Sequence, residues 1–464
     1  MTSRLSFFFV ALPVLLGPWL FGAWEQWWFW PLAVSVFCAG ICLGLAQLRA
    51  LLPGDAGQPG GTRVRGLCAL SLLPFLLYAL GRGLHAEVAM TAERSGLLFL
   101  TPLIVALVVG VGFTAGQRDA LFLLMLTNLY LLGAYGVINH AVTHSRFVLW
   151  APAYPQYIAA DRASGPYFCP DHYAGAMEIG LAMAMGLLLT RGLGWKLRAL
   201  AGAAAAAGLA AVVFSKSRGG GLTVLALLLA SMAFGLSQWP RRMRRSLRLA
   251  GLAAIAAATL LFTVAAGSYM QRFTSYFGWE AARGKPPAEK VDAVLARLRR
   301  CDRGLMIAGA LRAWRATDPL WGIGPGMHQH LWPRFAASND GDRQAHRWPS
   351  VLNNTFHSYE VHSDWVQLLE ECGIAGLILF LAACAAWFLT LRAGLRAESE
   401  MLRDRHWRAT GAEHHPAMLA ALLAGLAMAF HSLGDFNLQI PATTWMLGAL
   451  LGMGMAGAAA AIGR

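Results

Sequence analysis

The chain has 464 residues, of which 57% are apolar and only 13% are charged, and its formal net charge is +14. This composition excludes an ordinary soluble domain and predicts an all-α polytopic membrane protein. The positive charge favours cytoplasmic loops that face anionic lipid over nucleic-acid binding, because the sequence contains no basic helix interleaved with stacking aromatics.

A membrane-crossing helix needs about 20 mostly apolar residues, because lipid cannot satisfy the backbone amides of any shorter or irregular segment. The chain contains about twelve such stretches. In chain order they are 6–24, 27–47, 66–80, 97–113, 120–138, 173–189, 197–214, 222–236, 249–266, 373–391, 417–431 and 443–462. The first is followed at once by the second with no small-residue cleavage site, which favours a retained helix over a signal peptide.

The basic residues orient this array, because Lys and Arg accumulate in cytoplasmic loops. They occupy alternate links, at 49–65, 118, 191–198, 241–248 and 392–408. All five links fall on the inner side if the N-terminus is cytoplasmic, and an even number of spans then places both termini in the cytoplasm. The outer side holds 140–172, the link at 216–220, the long segment 267–372 and the link at 435–441.

The chain is therefore divided into nine spans over 1–266, an outer helical segment over 267–372 and three spans over 373–464. Within the outer segment, helical spacing predicts helices over 287–300 and 302–317. A turn rich in Gly and Pro should follow over 318–328. A last helix is expected to begin near Ser363 and to enter the bilayer after Cys372.

Two cationic features on the outer side need an explanation, and the first of them runs against the positive-inside rule. In the link FSKSRGGGL, Lys216, Ser217 and Arg218 precede three glycines. Glycine allows close approach of a ligand and Arg grips phosphate with two parallel hydrogen bonds, so the link predicts an anion site. The alternative is that Arg218 extends to the interface and the glycines form a tight turn. Arg303 opens a helix, where a cation needs an anion or an acidic partner such as Asp302.

His362 is the candidate for proton transfer on the outer side. It is followed two residues later by Asp364 and nine residues later by Glu371. An imidazole with a pKa near neutrality can take or hold a proton during a transfer reaction. An ordinary hydrogen-bonding role and competition from His357 are the alternatives.

The cysteines do not indicate a metal site, because the seven of them lack metal-ligand spacing. A metal-independent protein is expected. A Cys169–Cys301 disulfide is chemically feasible on the outer side, although an odd number of outer cysteines leaves one unpaired.

Five sequence blocks together resemble one family. SRGG at 217–220, DRGLMIAGALRAW with DPLWGIGPGMH within 302–328, and VHSDWVQLLEECGIAGL at 361–377 resemble signature blocks of the O-antigen ligase and Wzy-type polymerase superfamily. PYFCPDHYAGAMEIGLAMAMGL at 166–187 and FHSLGDFNLQIPA at 430–442 resemble its polysaccharide-associated branch. The blocks follow the family's order over about two thirds of the chain.

The resemblance implies a GT-C membrane glycosyltransferase of the bacterial inner membrane that works at the periplasmic face. Its donor would be a glycan on undecaprenyl diphosphate, with no other cofactor, and the sugar would be transferred with inversion. The acceptor would be a lipid A-core sugar in a ligase, a second lipid-linked repeat unit in a polymerase, or a protein. A lipid-linked glycan transporter is the alternative from another class. It is disfavoured because few ionisable residues lie within spans, Glu178 being the main one, and because the two halves of the chain do not resemble each other.

The resemblance also implies roles for residues. Arg218, Arg303 and His362 occupy the catalytic positions, the arginines to stabilise the departing diphosphate and the histidine to accept a proton or to bind the diphosphate. The residues expected to contact the diphosphate or sugar are Lys216, Ser217, Arg312, His172, Asp364 and Glu371. The block at 166–187 departs from the family's pattern, with Cys169, Pro170 and Asp171 where asparagines and an arginine are common.

Overall fold

The computed structural model describes residues 2–50, 70–155, 161–190, 193–238, 283–335, 358–401 and 415–463, together with the single positions 267, 271 and 274. These residues form an almost entirely helical fold. The first eight helices are α1 Thr2–Leu16, α2 Gln26–Ala50, α3 Leu73–Gly83, α4 Ala89–Leu107, α5 Ala115–Thr143, α6 Pro170–Leu189, α7 Trp195–Ser215 and α8 Arg218–Gln238. The remaining described helices are α9 Pro287–Arg300, α10 Asp302–Ala316, α11 His328–Phe335, α12 Asp364–Met401, α13 His415–His431 and α14 Pro441–Ile462.

Smaller elements complete the described fold. A π-helical turn at Val108–Gly112 extends α4, and single 3₁₀ turns lie at Phe21–Ala23, Leu70–Leu72 and Asn437–Gln439. The strands β1 Phe147–Val148 and β2 Ala151–Pro155 form an antiparallel hairpin in which Val148 faces Ala151.

The prediction of a polytopic helical protein is confirmed, whereas the count of about twelve spans is not. Eight described helices are long and apolar enough to cross a membrane, namely α2, α4 with its π turn, α5, α6, α7, α8, α12 and α14. The predicted spans 6–24, 66–80 and 417–431 correspond to the shorter helices α1, α3 and α13. The predicted span 249–266 lies outside the described residues.

Two apolar helices, α6 and α14, form the centre of the bundle. Both are apolar around their whole circumference, a pattern typical of a buried helix, and both are buried along nearly their whole length. α6 packs against α7, α8 and α13, and α14 packs against α4, α12 and α13. Gly448 and Gly452 of α14 allow this approach, since a Cβ at either position would lie 2.5 Å from the carbonyl oxygen of Pro102 or Ala106.

The predicted helices of the outer segment are confirmed almost to the residue. α9 and α10 match 287–300 and 302–317, and α12 begins one residue after Ser363. α12 is interrupted at Gly373, whose φ of 65° is left-handed, at the point where entry into the bilayer was predicted. Cys169 and Cys301 are both free thiols.

The links predicted on the outer side gather at one end of the bundle. The Arg162 Nε donates to the Ser215 carbonyl at the end of α7, at 2.7 Å. The Asp364 amide at the start of α12 donates to the Ser432 carbonyl after α13, at 3.1 Å. Segments far apart in sequence therefore meet in one polar region, which contains the candidate site.

Candidate functional site

The turn between α7 and α8 is built by the SKSRGG sequence. Lys216 ends α7 with a left-handed φ of 52° and forms an ion pair with Asp161. Ser217 is fully buried and caps α8, because its hydroxyl accepts a hydrogen bond from the Gly220 amide at 3.1 Å. Arg218 is then the first residue of α8 and is half-buried.

The glycines of this turn make room for protein side chains. A Cβ at Gly219 would lie 2.7 Å from His431 Nε2, and a Cβ at Gly220 would lie 3.0 Å from the Cβ of Ala174. Gly219 thus admits the ring of His431 from α13, and Gly220 admits α6. The sequence argument assigned this close approach to a ligand, whereas the structure shows it at the packing of three helices.

Arg303 lies between two carboxylates from distant parts of the chain. Its Nη2 lies 3.0 Å from Asp171 Oδ2 and 3.7 Å from Asp435 Oδ2, and its Nη1 donates to the Gly434 carbonyl. Asp171 also accepts a hydrogen bond from Arg162 Nη2 at 2.7 Å. These carboxylates provide the acidic partners that a cation at the start of α10 requires.

Side chains from several segments of the chain face the carboxylate of Asp435. Its Oδ1 accepts from the Phe436 amide at 3.0 Å and lies 3.4 Å from His362 Nδ1 and 3.7 Å from His172 Nε2. Burial alone would raise the pKa of Asp435, but Arg303 and the two imidazoles outweigh that effect and hold the pKa well below its ordinary value. Asp435 is therefore an anion around neutral pH.

The ring of Phe436 separates the two imidazoles. Its centroid lies 4.7 Å from the ring of His362 and 4.3 Å from the ring of His172, in edge contacts. His362 itself has a left-handed φ of 59°, which is uncommon for a residue with a side chain. Such backbone strain is concentrated at functional positions, where surrounding contacts maintain it.

Asp364 fixes the loop that carries Asp435. One carboxylate oxygen, Oδ2, accepts from the Ser432 hydroxyl at 2.7 Å and from the Leu438 amide at 2.9 Å. The two partners bracket Asp435 in sequence, so Asp364 holds this acidic loop against the N-terminus of α12.

Several buried polar atoms around this cluster have no hydrogen-bond partner within the described part of the chain. They are Asp435 Oδ2, Asp364 Oδ1 and His172 Nε2. A buried polar atom almost always has a hydrogen bond, and Asp435 Oδ2 and His172 Nε2 have only ion pairs of 3.7 to 3.8 Å. These atoms therefore indicate a place for water or for a polar ligand.

Glu371 and Arg312 lie at a different place from this cluster. Glu371 accepts from the amides of Gly326 and His328, at 2.9 and 3.3 Å, and thereby holds the Gly-rich turn 318–328. Arg312 donates from Nε and Nη2 to the Phe335 carbonyl at the end of α11, at 3.0 and 2.7 Å. Through these hydrogen bonds both side chains stabilise the backbone of the outer segment.

An apolar cavity of about 260 Å³ begins beside the polar cluster. It lies between α4, α12, α13 and α14, and its lining runs from Trp365 and Leu438 to Leu391 and Leu451. Leu438 is the residue whose amide binds Asp364, so the polar cluster and the cavity share a wall.

One known family matches part of this chain. Residues 203–381 match the family model described as O-antigen ligase. This match supports the resemblance of the chain to the O-antigen ligase and Wzy-type superfamily. A search of curated proteins returned no match.

The O-antigen ligase match contains the turn at Arg218, the start of α10 at Arg303, and His362. Asp171, Asp435 and the other blocks lie outside the matched residues, yet they complete the same cluster. The contacts of Arg303 and His362 with Asp435 thus join the matched region to the last link of the chain.

Sequence reasoning missed Asp435, Arg162 and His431 as members of the site. Asp435 and His431 stand in the block at 430–442, which was recognised by its resemblance without a role for either residue. Arg162 is a cation in a link predicted to be outside, where the positive-inside rule disfavours it. The same signal that selected Arg218 could therefore have selected Arg162.

The described residues contain no group of three or more His, Cys, Asp or Glu side chains that could hold a metal ion. Asp171 and Asp435 are instead engaged by arginines and imidazoles. Metal independence stays a prediction, which an activity assay must test.

Proposed function

We propose that this protein is a membrane glycosyltransferase that moves a glycan from undecaprenyl diphosphate to an acceptor sugar hydroxyl at the periplasmic face of the inner membrane. One observation carries the proposal. Arg303 and His362 converge on buried Asp435 beside an apolar cavity that lies within the helix bundle. A donor with an anionic diphosphate and a long hydrocarbon chain requires such a pairing of a polar cluster with an apolar cavity.

The cavity supports a polyprenyl carrier because its lining is almost wholly aliphatic and aromatic. A hydrocarbon chain would find there the same apolar surroundings as in lipid, and the four helices that bound the cavity bring those surroundings to the reacting end. The chain of the donor would lie between α4 and α12 to α14, with its diphosphate at the level of Trp365 and Leu438.

In the proposed reaction the acceptor oxygen forms a bond to the anomeric carbon as the bond from that carbon to the diphosphate oxygen breaks. The electron pair of the broken bond leaves with undecaprenyl diphosphate, and a single displacement inverts the sugar. Arg303, with Arg218 at the start of α8, would stabilise the charge that grows on the departing oxygen. No metal ion is needed for that step.

The acceptor hydroxyl loses its proton in the same reaction, and His362 would receive it. Its Nδ1 faces Asp435 at 3.4 Å, so the carboxylate would orient the ring and stabilise the imidazolium that forms. His172 faces the same carboxylate across Phe436 and would contact the sugar or the diphosphate.

The test uses the purified full chain in proteoliposomes with an undecaprenyl-diphosphate-linked glycan. One sample contains lipid A-core as acceptor and another contains only further lipid-linked glycan. We expect glycan transfer to lipid A-core, seen as a shift of the glycolipid band. Products lengthened by repeat units in the second sample would indicate a polymerase instead, and no transfer in either sample would overturn the proposal.

Metal independence is tested in the same assay. We expect the same rate of transfer in EDTA as in buffer with Mg²⁺. Loss of transfer in EDTA and recovery with Mg²⁺ or Mn²⁺ would contradict this part of the proposal.

A further inference from the structure

The side chain of His431 joins three helices beneath the candidate site. It stands at the end of α13 and is 2% exposed. Its Nδ1 lies 2.8 Å from Glu178 Oε1 of α6, and its Nε2 lies 3.8 Å from Asp435 Oδ2. The same Nε2 abuts Gly219 of α8, where a Cβ would lie only 2.7 Å away.

Glu178 is an unexpected residue at its position. It is fully buried in α6, and its Oε2 has no hydrogen-bond partner within the described residues. Placing a carboxylate inside a membrane-spanning helix is costly, and such residues are usually kept for function. The packing of α6 alone would be served better by an apolar side chain of similar size.

Glu178, His431 and Asp435 form a line of carboxylate, imidazole and carboxylate that ends at the site. Glu178 faces one ring nitrogen, so the ring is oriented with its other nitrogen toward Asp435. Among the described residues, Arg303 of α10, His172 of α6 and His362 also face Asp435, and Arg303 pairs with Asp171 of α6 as well. His431 thus approaches Oδ2 of Asp435, whereas His362 faces its Oδ1.

We infer that Glu178 and His431 are positioning residues that hold the Asp435 carboxylate in the orientation that His362 requires. This inference rests on the proposed glycosyl transfer. Glu178 stabilises a positive charge on His431, and that charge in turn favours the ionised form of Asp435. Gly219 belongs to the same arrangement, because a side chain there would push the ring of His431 away from Asp435.

The test is a double-mutant cycle on glycan transfer with the full chain. Glu178→Gln is made alone and together with Asp435→Asn, and kcat and KM for the lipid-linked donor are measured by single-turnover and steady-state assays. If Glu178 acts through Asp435, Glu178→Gln lowers kcat about tenfold or more and changes KM for the donor about twofold at most. In the Asp435→Asn background the same change then lowers kcat by about twofold at most.

Glu398→Gln is the matched control, since Glu398 is also a buried carboxylate of a membrane-spanning helix but lies at the far end of α12. It should transfer glycan at the wild-type rate. Wild-type kcat in Glu178→Gln, or an equal loss in both backgrounds, would overturn the inference while leaving the proposed transfer intact. An inactive wild type would overturn the proposed function and the inference with it.

A second variant tests the inference even if Glu178→Gln does not fold. Gly219→Ala retains both charges and presses only on the ring of His431, whereas Gly202→Ala of α7 meets no atom within 4 Å and is its control. If Glu178→Gln fails to accumulate in membranes, Gly219→Ala must lower kcat by about tenfold and Gly202→Ala must not. Equal activity of the two alanine variants would contradict the inference.

Discussion

Two buried clusters at the same end of the bundle combine histidine with carboxylates, and they differ in what surrounds them. In the cluster around Asp435, one carboxylate faces Arg303 and imidazoles from α6, α13 and the start of α12. In the cluster around His328, the ring lies 2.7 Å from Glu370 and 3.1 Å from the Ser358 hydroxyl. The first cluster brings cationic side chains to one shared carboxylate. The second cluster lies beside residues that bind the backbone amides of the Gly-rich turn 318–328.

The backbone role of the second cluster follows from the interruption of α12 at Gly373. The carbonyls of Glu370 and Glu371 before the break accept from the amides of Ile323 and Gly324, at 3.0 and 2.8 Å. The Glu371 side chain binds two further amides of the same turn. The Gly-rich turn is therefore bound at the break in α12. Glu371 stabilises this turn, and its contact with the substrate stays a prediction.

The largest effect is expected from Arg303→Ala. Loss of this guanidinium removes the cation between Asp171 and Asp435 and should lower transfer about 10² to 10³-fold. Arg315→Ala, which removes an exposed cation of the same helix, is the control and should transfer normally. Comparable rates for the two variants in the proteoliposome assay would remove the first cluster from the mechanism.

His362→Ala and His328→Ala should separate the two clusters. We expect His362→Ala to lower turnover about 10²-fold with little change in thermal stability, because the lost ring is a proton acceptor at a half-buried position. His328→Ala should instead lower the unfolding temperature and leave the turnover of the remaining folded protein nearly unchanged. The measurements are the transfer rate per folded molecule and the temperature of thermal unfolding. Lost turnover in His328→Ala together with lost stability in His362→Ala would contradict the roles given to the two clusters.

Glu371→Gln sharpens the comparison for a residue that was predicted to bind substrate. Replacing the carboxylate weakens its hydrogen bonds to the amides of Gly326 and His328. The free energy of unfolding should therefore fall by about 1 to 3 kcal/mol. The KM for the donor should stay at the wild-type value. A raised KM in a variant of undiminished stability would restore the substrate-binding role.

The smallest effect concerns pH. Burial alone would lower the pKa of His328, but its hydrogen bond and charge interaction with Glu370 outweigh burial and raise the pKa above 6.5. A raised folded-state pKa gives stability that is complete below pH 6.5 and is lost as pH rises through the folded value. Thermal unfolding of wild type against His328→Gln from pH 6 to 9 should show the difference shrinking with pH, and a difference that grows would contradict the pairing.

Much of the fold followed from sequence because it depends on local patterns. Apolar runs predicted the helices of the bundle, and helical spacing with Gly and Pro predicted α9, α10 and the turn after them. The count of spans was less predictable. A run such as 417–431 is apolar enough for a membrane, but the described helix α13 is only 17 residues long and packs against α6 within the bundle.

The site was only partly predictable because its partners are brought together by tertiary packing. Arg303 and His362 could be recognised from charge and from family resemblance, yet the carboxylate between them lies 132 residues after Arg303 and 73 after His362. The spacing of residues in the sequence does not predict a tertiary contact of this kind. The substrate-binding role of Glu371 was predicted from the family resemblance and stays a prediction. Its contacts with the amides of Gly326 and His328 could not be read from the sequence.

The most direct measurement is a structure of the protein in a lipid nanodisc with bound undecaprenyl diphosphate. We predict that the diphosphate lies within hydrogen-bonding distance of Arg303 and near His362. We also predict that the hydrocarbon chain lies between α4, α12, α13 and α14. A diphosphate bound at the His328 cluster, or a hydrocarbon chain that leaves this cavity empty, would contradict the account.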